Sequence, residues 1–199
     1  MKRLIQIRPS NLLDIACGTG DLTIAIYKKG VNVTGLDIAE KMLEIAKRKS
    51  DKCFEKTKTG AARPNFIKGS ADSIPYDNNS FDAVTIGFGI RNFENRGESL
   101  LEINRVLKKG GAIAILEFAT PRNKILRVVF HLYFLKILPA IGRVISGDRK
   151  AYDYLPQSVE TFPQYSEFAT ELEHFGFENV EFRSLTGGIA ILYFAVKKD

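Results

Sequence analysis

The stretch that decides the fold is "LLDIACGTGDL", residues Leu12 to Leu22, in which an apolar run leads into a glycine turn and then into a helical pattern. A buried strand, a glycine turn and a helix start, in this order, are typical of nucleotide-binding α/β folds. A dinucleotide site has the pattern G-x-G-x-x-G, whereas this chain has Gly18 and Gly20 but Thr23 at the third position. The turn therefore predicts a nucleotide-like ligand without fixing its kind.

Two carboxylates, Asp14 before the turn and Asp21 after it, argue against a diphosphate. An aspartate within roughly 5 Å of a diphosphate would cost on the order of a few kcal/mol at a surface-like dielectric. S-adenosylmethionine carries no phosphate, and its cationic sulfur and zwitterionic end favour neighbouring carboxylates. We expect Asp14 to accept hydrogen bonds from the ammonium group, directly or through water, and Asp37, which ends the second strand, to bridge both ribose hydroxyls. The alternative is that these aspartates merely end strands or begin a helix.

Apolar runs of strand length alternate with helical patterns through residue 120, which indicates βαβ units and a mostly parallel sheet. The strand-like runs are 11–16, 31–37, 64–70, 81–89 and 112–119. The helical patterns are 21–30, Glu40 to about Ser50, and a stretch that ends at Leu107 before "KKGG". After a further helix over 164–177, strands at 178–185 and 187–198 follow each other so closely that they must be antiparallel.

These elements predict an α/β, doubly wound, Rossmann-like fold. We expect a seven-stranded sheet, mostly parallel with a C-terminal antiparallel hairpin, in a single domain over residues 1–199. The segment 121–160 breaks the alternation and is interpreted as a helical insertion after the fifth strand. Within it, aromatic residues are interleaved with lysines and arginines.

The composition is that of an ordinary globular protein, with 45% hydrophobic residues, 26% charged residues and a net charge of +6. No apolar run approaches about 18 residues and no secretory signal is recognisable, so we expect a cytoplasmic protein. Cys17 and Cys53 form neither a disulfide framework nor a zinc site, and no metal site is expected. The basic excess favours anionic partners, but without a recognisable RNA module we expect no nucleic acid.

Several longer motifs, in the right order, carry a family resemblance over roughly residues 10–198. With "DIACGTGD", Asp37 and the closing hairpin, the chain resembles class I S-adenosylmethionine-dependent methyltransferases. Within that class it is similar to the family that C-methylates quinol precursors in menaquinone and ubiquinone biosynthesis. The narrower resemblance rests on "FDAVTIGFGIRNF" (Phe81–Phe93), "EINRVLKKGGAIAILEFATP" (Glu102–Pro121), "YDYLPQSVETFP" (Tyr152–Pro163) and "LTGGIA" (Leu185–Ala190).

The resemblance implies S-adenosyl-L-methionine as cofactor and a polyprenyl quinol, of demethylmenaquinol or ubiquinol-precursor type, as substrate. The implied cofactor contacts, together with Asp14 and Asp37, are Gly18, Thr19, Gly20, Ser70, Ala71 and Gly87. Substrate contacts would come from Arg91, Asn92 and the region from Tyr152 to Ser158.

The chain also departs from the family pattern at three places. Ser70 stands where relatives commonly have Asp or Asn, which weakens the adenine contact or shifts it to Asp72. Ala39 replaces a usual Ser, which removes a helix N-cap whose loss costs about 1 kcal/mol. Relatives also carry helices before the first strand that this sequence lacks, which indicates either a truncated chain or a more open site.

The chemistry implied by the resemblance needs a phenolate, because ring carbon is a poor nucleophile until a neighbouring hydroxyl loses its proton. Arg91, just past the fourth strand, is the candidate that stabilises this anion, with Asn92 orienting the oxygen. The alternative is that Arg91 is a solvated loop residue or the partner of a carboxylate. The proton acceptor stays open among His131, His174, Tyr154 and water.

Two interpretations of the segment 121–160 stay open and are compatible. It can form a lid that shelters a polyprenyl chain and rests on the inner face of a membrane, or a helix packed on the sheet with snorkelling basic residues. The runner-up functions are methylation of another small apolar molecule and a non-catalytic module that keeps the cofactor fold. The sequence leaves the oligomeric state open.

Overall fold

The computed structural model describes residues 9–57, 59–132 and 156–198, and these residues form a seven-stranded sheet covered by helices. The strands are β1 (Asn11–Ile15), β2 (Asn32–Asp37), β3 (Asn65–Lys68), β4 (Phe81–Gly87), β5 (Leu107–Phe118), β6 (Phe177–Leu185) and β7 (Ala190–Lys197). They lie in the order β3-β2-β1-β4-β5-β7-β6. The first five are parallel, and β7 is antiparallel to both of its neighbours. The predicted doubly wound sheet with a terminal hairpin is confirmed.

The helices with defined bounds are α1 (Asp21–Tyr27), α2 (Glu40–Lys56), α3 (Arg96–Val106), α4 (Lys124–Leu132) and α5 (Ser166–His174). Residues 156–161 are also helical, and 3₁₀ turns occupy Ile90–Asn92 and Thr186–Gly188. None of the described helices has the length and apolar character needed to cross a membrane. Of the predicted helical insertion, 124–132 and 156–161 are helical, and 133–155 lies outside the described residues.

The core lies on both faces of the central strands, because parallel strands covered by helices are apolar on both sides. In β1, for example, Leu12, Leu13 and Ile15 are all at most 3% exposed. On α5, Phe168 and Leu172 are fully buried, as their helical spacing predicts. The sheet therefore forms a rigid base for the loops at its carboxyl edge.

Some element boundaries differ from the predictions for physical reasons. The second helix runs on to Lys56, past the expected end near Ser50. Helix α3 ends at Val106, before the "KKGG" run that was expected to end it, and this run lies within β5. Strand β5 begins at Leu107 because a register shift lets Phe81 pair with Leu107 and Ala83 with Ala112. Gly110, with φ of 67°, allows the extra residues to bulge out of the strand.

Candidate functional site

The turn after β1 lies at the carboxyl edge of the sheet, where the strand order reverses and such folds bind ligands. Its backbone is left-handed at Ala16, Gly18 and Gly20, with φ of 53°, 53° and 77°. A Cβ on Gly20 would lie 2.9 Å from the Cβ of Ala46 and 3.0 Å from a ring carbon of Phe66. Both contacts are too short for a side chain, so glycine lets the start of α1 pack closely against α2 and β3.

Asp14 ends up in the core below this turn, only 1% exposed. Its Oδ2 accepts a 2.5 Å hydrogen bond from the Thr23 hydroxyl on α1, and its Oδ1 accepts one of 2.8 Å from Thr85 on β4. Burial raises the pKa of Asp14 to about 6, although both threonine hydrogen bonds oppose the rise. The sequence predicted a ligand contact at Asp14; the structure shows a carboxylate that joins β1, α1 and β4.

Asp37 lies at the end of β2 and is partly exposed. Its Oδ2 accepts a 2.7 Å hydrogen bond from the Gly18 N–H, and its Oδ1 accepts one of 2.8 Å from the Ala39 N–H. Ala39 is the N-cap residue of α2 and makes no side-chain cap, as expected for alanine at this position. Asp37 thus connects the glycine turn with the start of α2, and its carboxylate oxygens keep further lone pairs for ligand hydroxyls.

Asp21 differs from the other two carboxylates because it has a cationic partner. Its side chain is 77% exposed and pairs with Lys49 of α2 at 2.5 Å, while the Thr19 hydroxyl donates to it at 2.8 Å. The hydrogen bonds from Lys49 and Thr19 lower its pKa. The prediction that Asp21 supplies charge toward a cationic ligand is weakened, because Lys49 neutralises that charge.

The other predicted cofactor residues lie at the same edge of the sheet. The loop of Ser70 and Ala71 is attached to the end of β2, since the Gly69 N–H donates to the Asp37 carbonyl at 3.1 Å. Ser70 is partly exposed, whereas Ala71 is buried. Gly87 ends β4. The structure therefore brings together the strand ends that carry Asp37, Ser70 and Gly87.

Arg91 lies in the 3₁₀ turn after β4, and its side chain is only 9% exposed. Its Nη1 donates 2.6 Å hydrogen bonds to the Glu117 carboxylate on β5 and to the Phe88 carbonyl, and its Nε donates to the Ser158 hydroxyl at 3.3 Å. Its guanidinium also lies over the Phe118 ring, 5.3 Å from the centroid. Arg91 is therefore not a solvated loop residue; it is the partner of a buried carboxylate, as one of the two alternatives stated.

An aromatic pair adjoins this arginine. The rings of Phe88 and Phe118 are 4.3 Å apart between centroids, and Phe88 is 37% exposed. Phe88 has a left-handed backbone, with φ of 58°, which is costly for a bulky residue and common at functional sites. The next residue, Gly89, contacts the glycine turn, because a Cβ there would lie 2.5 Å from the Cβ of Ala16. The arginine turn and the glycine turn are thus in direct contact.

The remaining predicted residues are less informative. Asn92 is exposed, and its backbone N–H donates to the Gly89 carbonyl at 3.0 Å. His174 ends α5 just before β6 begins, at the edge of the sheet opposite this site, so it is not placed to accept a substrate proton. Tyr154 and the side chain of His131 lie outside what the structure describes.

Sequence reasoning missed the Phe88–Phe118 pair, Glu117 and Ile38. Glu117 is fully buried, and a charged residue within the apolar run "AIAILEFA" was a usable signal, because buried carboxylates need partners. Burial raises the pKa of Glu117, and the Arg91 guanidinium opposes the rise. Ile38, directly after Asp37, is 70% exposed and offers apolar surface at the same edge. Its exposure could not be read from the sequence.

The comparisons with known proteins identify the family of this chain. The sequence profile described as the ubiE/COQ5 methyltransferase family matches residues 1–197. The chain belongs to the ubiE/COQ5 methyltransferase family. The family named from the sequence motifs is therefore confirmed.

Curated relatives of this ubiE/COQ5 family chain match almost its whole length. It is 40% identical over 199 residues to the demethylmenaquinone methyltransferase of Chlorobaculum tepidum, covering 98% of this chain and 77% of that one. It is 38% identical to the ubiquinone/menaquinone biosynthesis C-methyltransferase UbiE of Geotalea uraniireducens, covering 99% and 83%. It is also 38% identical to the demethylmenaquinone methyltransferase of Staphylococcus aureus, covering 100% and 80%.

Solved structures share the fold at low sequence identity. Phosphoethanolamine N-methyltransferase 2 of Haemonchus contortus, in complex with S-adenosyl-L-methionine, superposes with a TM-score of 0.68 at 15% identity, covering 96% of this chain and 49% of that one. The [4+2]-cyclase SpnF superposes with the same TM-score at 19% identity, covering 95% and 75%. One fold thus hosts different chemistries, so the site and not the fold carries the functional argument.

Proposed function

We propose that this protein transfers the methyl group of S-adenosyl-L-methionine to a ring carbon of a polyprenyl quinol precursor, of demethylmenaquinol or ubiquinol-precursor type. The observation that carries the proposal is the contact between two turns at one sheet edge. One is the glycine turn, with the buried Asp14 below it and Asp37 beside it, and the other holds a buried arginine beside an aromatic pair. Relatives about 40% identical are named demethylmenaquinone methyltransferases, which supports the same chemistry.

In this proposal the cofactor lies across the ends of β1, β2 and β4. Asp37 accepts hydrogen bonds from the ribose hydroxyls, and the exposed Ile38 side chain covers one face of the adenine. The loop of Ser70 and Ala71 faces the edge of the adenine. In the proposal, the main chain of Gly18, Thr19, Gly20 and Gly87 lines the cofactor site.

Asp14 has a different role in the proposal from the one that the sequence suggested. Its carboxylate is enclosed, so it acts by fixing the turn through Thr23 and by placing negative charge below a cationic ligand. A positive charge bound nearby would lower the raised pKa of Asp14 and favour its ionised form. The carboxylate thereby favours S-adenosylmethionine over phosphate-bearing nucleotides without touching either.

On the substrate side, Arg91 stabilises the phenolate form of the quinol, and Asn92 orients the oxygen. When bound, S-adenosylmethionine supplies the methyl group and leaves as S-adenosylhomocysteine. The new bond joins the methyl carbon to the ring carbon as the S–CH₃ bond breaks, and its electron pair stays on sulfur. The ring carbon then loses its proton to water, which restores the aromatic ring as a phenolate, and a proton from the solvent completes the quinol. Phe88 and Phe118 offer apolar surface to the ring.

The polyprenyl tail requires further apolar surface, which α4 offers. Ile125 and Val128 are 75% and 68% exposed and lie on one face of this helix, and Lys124 begins it. In the proposal this face contacts the tail and the inner surface of the membrane that holds it. The contact is peripheral.

One assay tests the proposal. The full chain is incubated anaerobically with methyl-labelled S-adenosylmethionine and demethylmenaquinol, in detergent and in anionic lipid vesicles, and the quinol is analysed by mass spectrometry. We expect a product that gains one methyl group on carbon, formed faster with vesicles. Measurable cofactor binding without any methylated quinol would contradict the proposal.

A further inference from the structure

Glu117 is a fully buried carboxylate at the carboxyl end of β5, and its hydrogen bonds concentrate on one residue. Its Oε1 accepts from the Arg91 Nη1 at 2.6 Å and from the Phe118 N–H at 2.8 Å. Its Oε2 accepts from the Arg91 backbone N–H at 3.3 Å. Glu117 therefore holds both the main chain and the side chain of Arg91.

The guanidinium of Arg91 is fixed from several directions and still has donors to offer. Nη1 donates to Glu117 and to the Phe88 carbonyl, Nε donates to Ser158, and the Phe118 ring packs against the group. Within the described part of the chain, Nη2 donates no hydrogen bond. A guanidinium held at one end with two N–H groups remaining at the other suits recognition of an anionic oxygen.

We infer that Glu117 is the positioning residue of the methyl-transfer site, which holds Arg91 so that its remaining N–H groups meet the phenolate oxygen of the substrate. The inference rests on the proposed function, to which it adds a residue that acts through Arg91. Glu117 exchanges no proton or electron pair with the substrate. The phenolate oxygen becomes more negative as the hydroxyl proton leaves, and the fixed guanidinium stabilises that charge without rearranging.

A second arginine–glutamate pair shows what a merely structural pair looks like in this fold. Arg96 and Glu171 join α3 to α5 through two hydrogen bonds, of 2.6 and 3.1 Å, and both side chains are partly exposed. That pair is bidentate, from Nε and Nη2 to the two oxygens of one carboxylate, whereas Arg91 divides its donors among the Glu117 carboxylate, the Phe88 carbonyl and the Ser158 hydroxyl. Glu171→Gln is therefore a matched control for Glu117→Gln.

The experiment measures kcat, quinol KM and cofactor Kd for the wild type, Glu117→Gln, Glu171→Gln, Arg91→Met and the double variant Arg91→Met/Glu117→Gln. We expect Glu117→Gln to lower kcat about 100-fold, with KM and cofactor Kd within about threefold, because it releases the guanidinium without emptying the site. In the Arg91→Met background the same change should lower kcat by less than about twofold, since its target is gone. Glu171→Gln should keep kcat close to that of the wild type.

Other results would overturn the inference. These are a Glu117→Gln kcat within threefold of the wild type, equal losses in both backgrounds, or a parallel loss of cofactor affinity. If Glu117→Gln does not fold, Glu117→Asp, which keeps the charge but moves it, undergoes the same test and should also lose kcat in the wild-type background only.

A binding measurement separates this inference from the proposed function. The probe is 4-nitro-1-naphtholate, an anion at neutral pH whose absorbance reports binding. We expect Glu117→Gln to weaken its binding at least about tenfold and Glu171→Gln to leave it unchanged. If the wild type makes no product but binds the naphtholate in this Glu117-dependent way, the proposed function fails, while the positioning of Arg91 by Glu117 toward an anionic oxygen stands. Equal binding by the wild type and Glu117→Gln, or none by either, overturns the inference.

Discussion

Two buried carboxylates at the same edge of the sheet have opposite kinds of partner. Asp14, on β1, is 1% exposed and accepts hydrogen bonds from the neutral hydroxyls of Thr23 and Thr85. Glu117, on β5, is fully buried and pairs with the Arg91 guanidinium. Burial raises the pKa of both carboxylates, but a cation opposes the rise only at Glu117.

The difference shows how the two halves of the site divide their tasks. Hydroxyl partners leave the Asp14 charge uncompensated, so its negative charge can favour a cationic ligand above the turn. Arg91 compensates the Glu117 charge, so this pair presents remaining N–H donors and no net charge to the substrate side. In the proposal, cofactor selection thus depends on a buried carboxylate without a cationic partner, and phenolate stabilisation depends on one that is paired with an arginine.

The largest expected effect comes from removing the Arg91 cation that pairs with Glu117. Arg91→Met leaves Glu117 buried without its partner, and we expect a loss of about 3 to 5 kcal/mol in the free energy of unfolding at pH 7.5. The pKa of Glu117 then rises further, so the loss should be greatest at high pH and shrink as the pH falls. Urea unfolding at several pH values measures it.

Two further variants control the Arg91→Met result. The double variant Arg91→Met/Glu117→Gln removes the unpaired charge and should recover at least about half of the loss. Arg96→Met breaks the partly exposed pair with Glu171 and should cost only about 1 kcal/mol. The result that contradicts this prediction is a loss of unfolding free energy in Arg91→Met that does not depend on pH and is not recovered in the double variant. Such a result would show that the cation does not compensate the Glu117 charge.

The glycine turn could be predicted from the sequence more readily than the Arg91–Glu117 pair, for a physical reason. The signals of the glycine turn are local: an apolar run, two glycines and a helix start lie within Leu12 to Leu22. The Arg91–Glu117 pair joins residues 26 positions apart. Their meeting depends on β5 lying next to β4, and on Phe88 turning the chain back through its left-handed backbone.

The burial of particular side chains was also beyond the sequence. Asp14, Asp21 and Asp37 form one pattern in the sequence, yet they differ in burial and in hydrogen-bond partners in the fold. Asp14 is enclosed by the threonines, Asp21 is exposed but pairs with Lys49, and Asp37 is partly exposed at the edge without a cationic partner in the described part of the chain. Which aspartate faces a ligand depends on packing between α1, α2 and β4, which no single segment encodes.

The second expected effect concerns Asp14, the buried carboxylate that has no cationic partner in the described part of the chain. The pKa of Asp14 is raised from 3.8 to about 6, so its contribution to stability is fully present below about pH 4 and is lost as the pH rises through 6. Asp14→Asn cannot titrate. We therefore expect the free energy of unfolding of this variant, relative to the wild type, to increase by about 2.4 kcal/mol between pH 4 and pH 7.

Asp82 provides a control of the opposite sign. Burial tends to raise its pKa, but the hydrogen bonds from Lys108 and from the Asn11 backbone N–H lower it more. Its stabilising contribution is therefore present at neutral pH and lost as the pH falls. Asp82→Asn should lose stability relative to the wild type as the pH rises from 3 to 7, while Asp14→Asn gains. Curves that run in the same direction would refute the contrast.

The smallest expected effect tests whether Asp37 is the carboxylate that meets the cofactor. Asp37→Ala should weaken S-adenosylmethionine binding at least about tenfold, or about 1.4 kcal/mol, measured by calorimetry, because two ribose hydroxyls lose their acceptor. Quinol KM at saturating cofactor should stay within about twofold, since Arg91 and its partners are untouched. Asp51, an exposed residue on α2, pairs with Arg63. Asp51→Ala is therefore the matched control and should bind the cofactor like the wild type. Unchanged affinity in Asp37→Ala would remove Asp37 from the site and leave the enclosed Asp14 as the charge that selects the ligand.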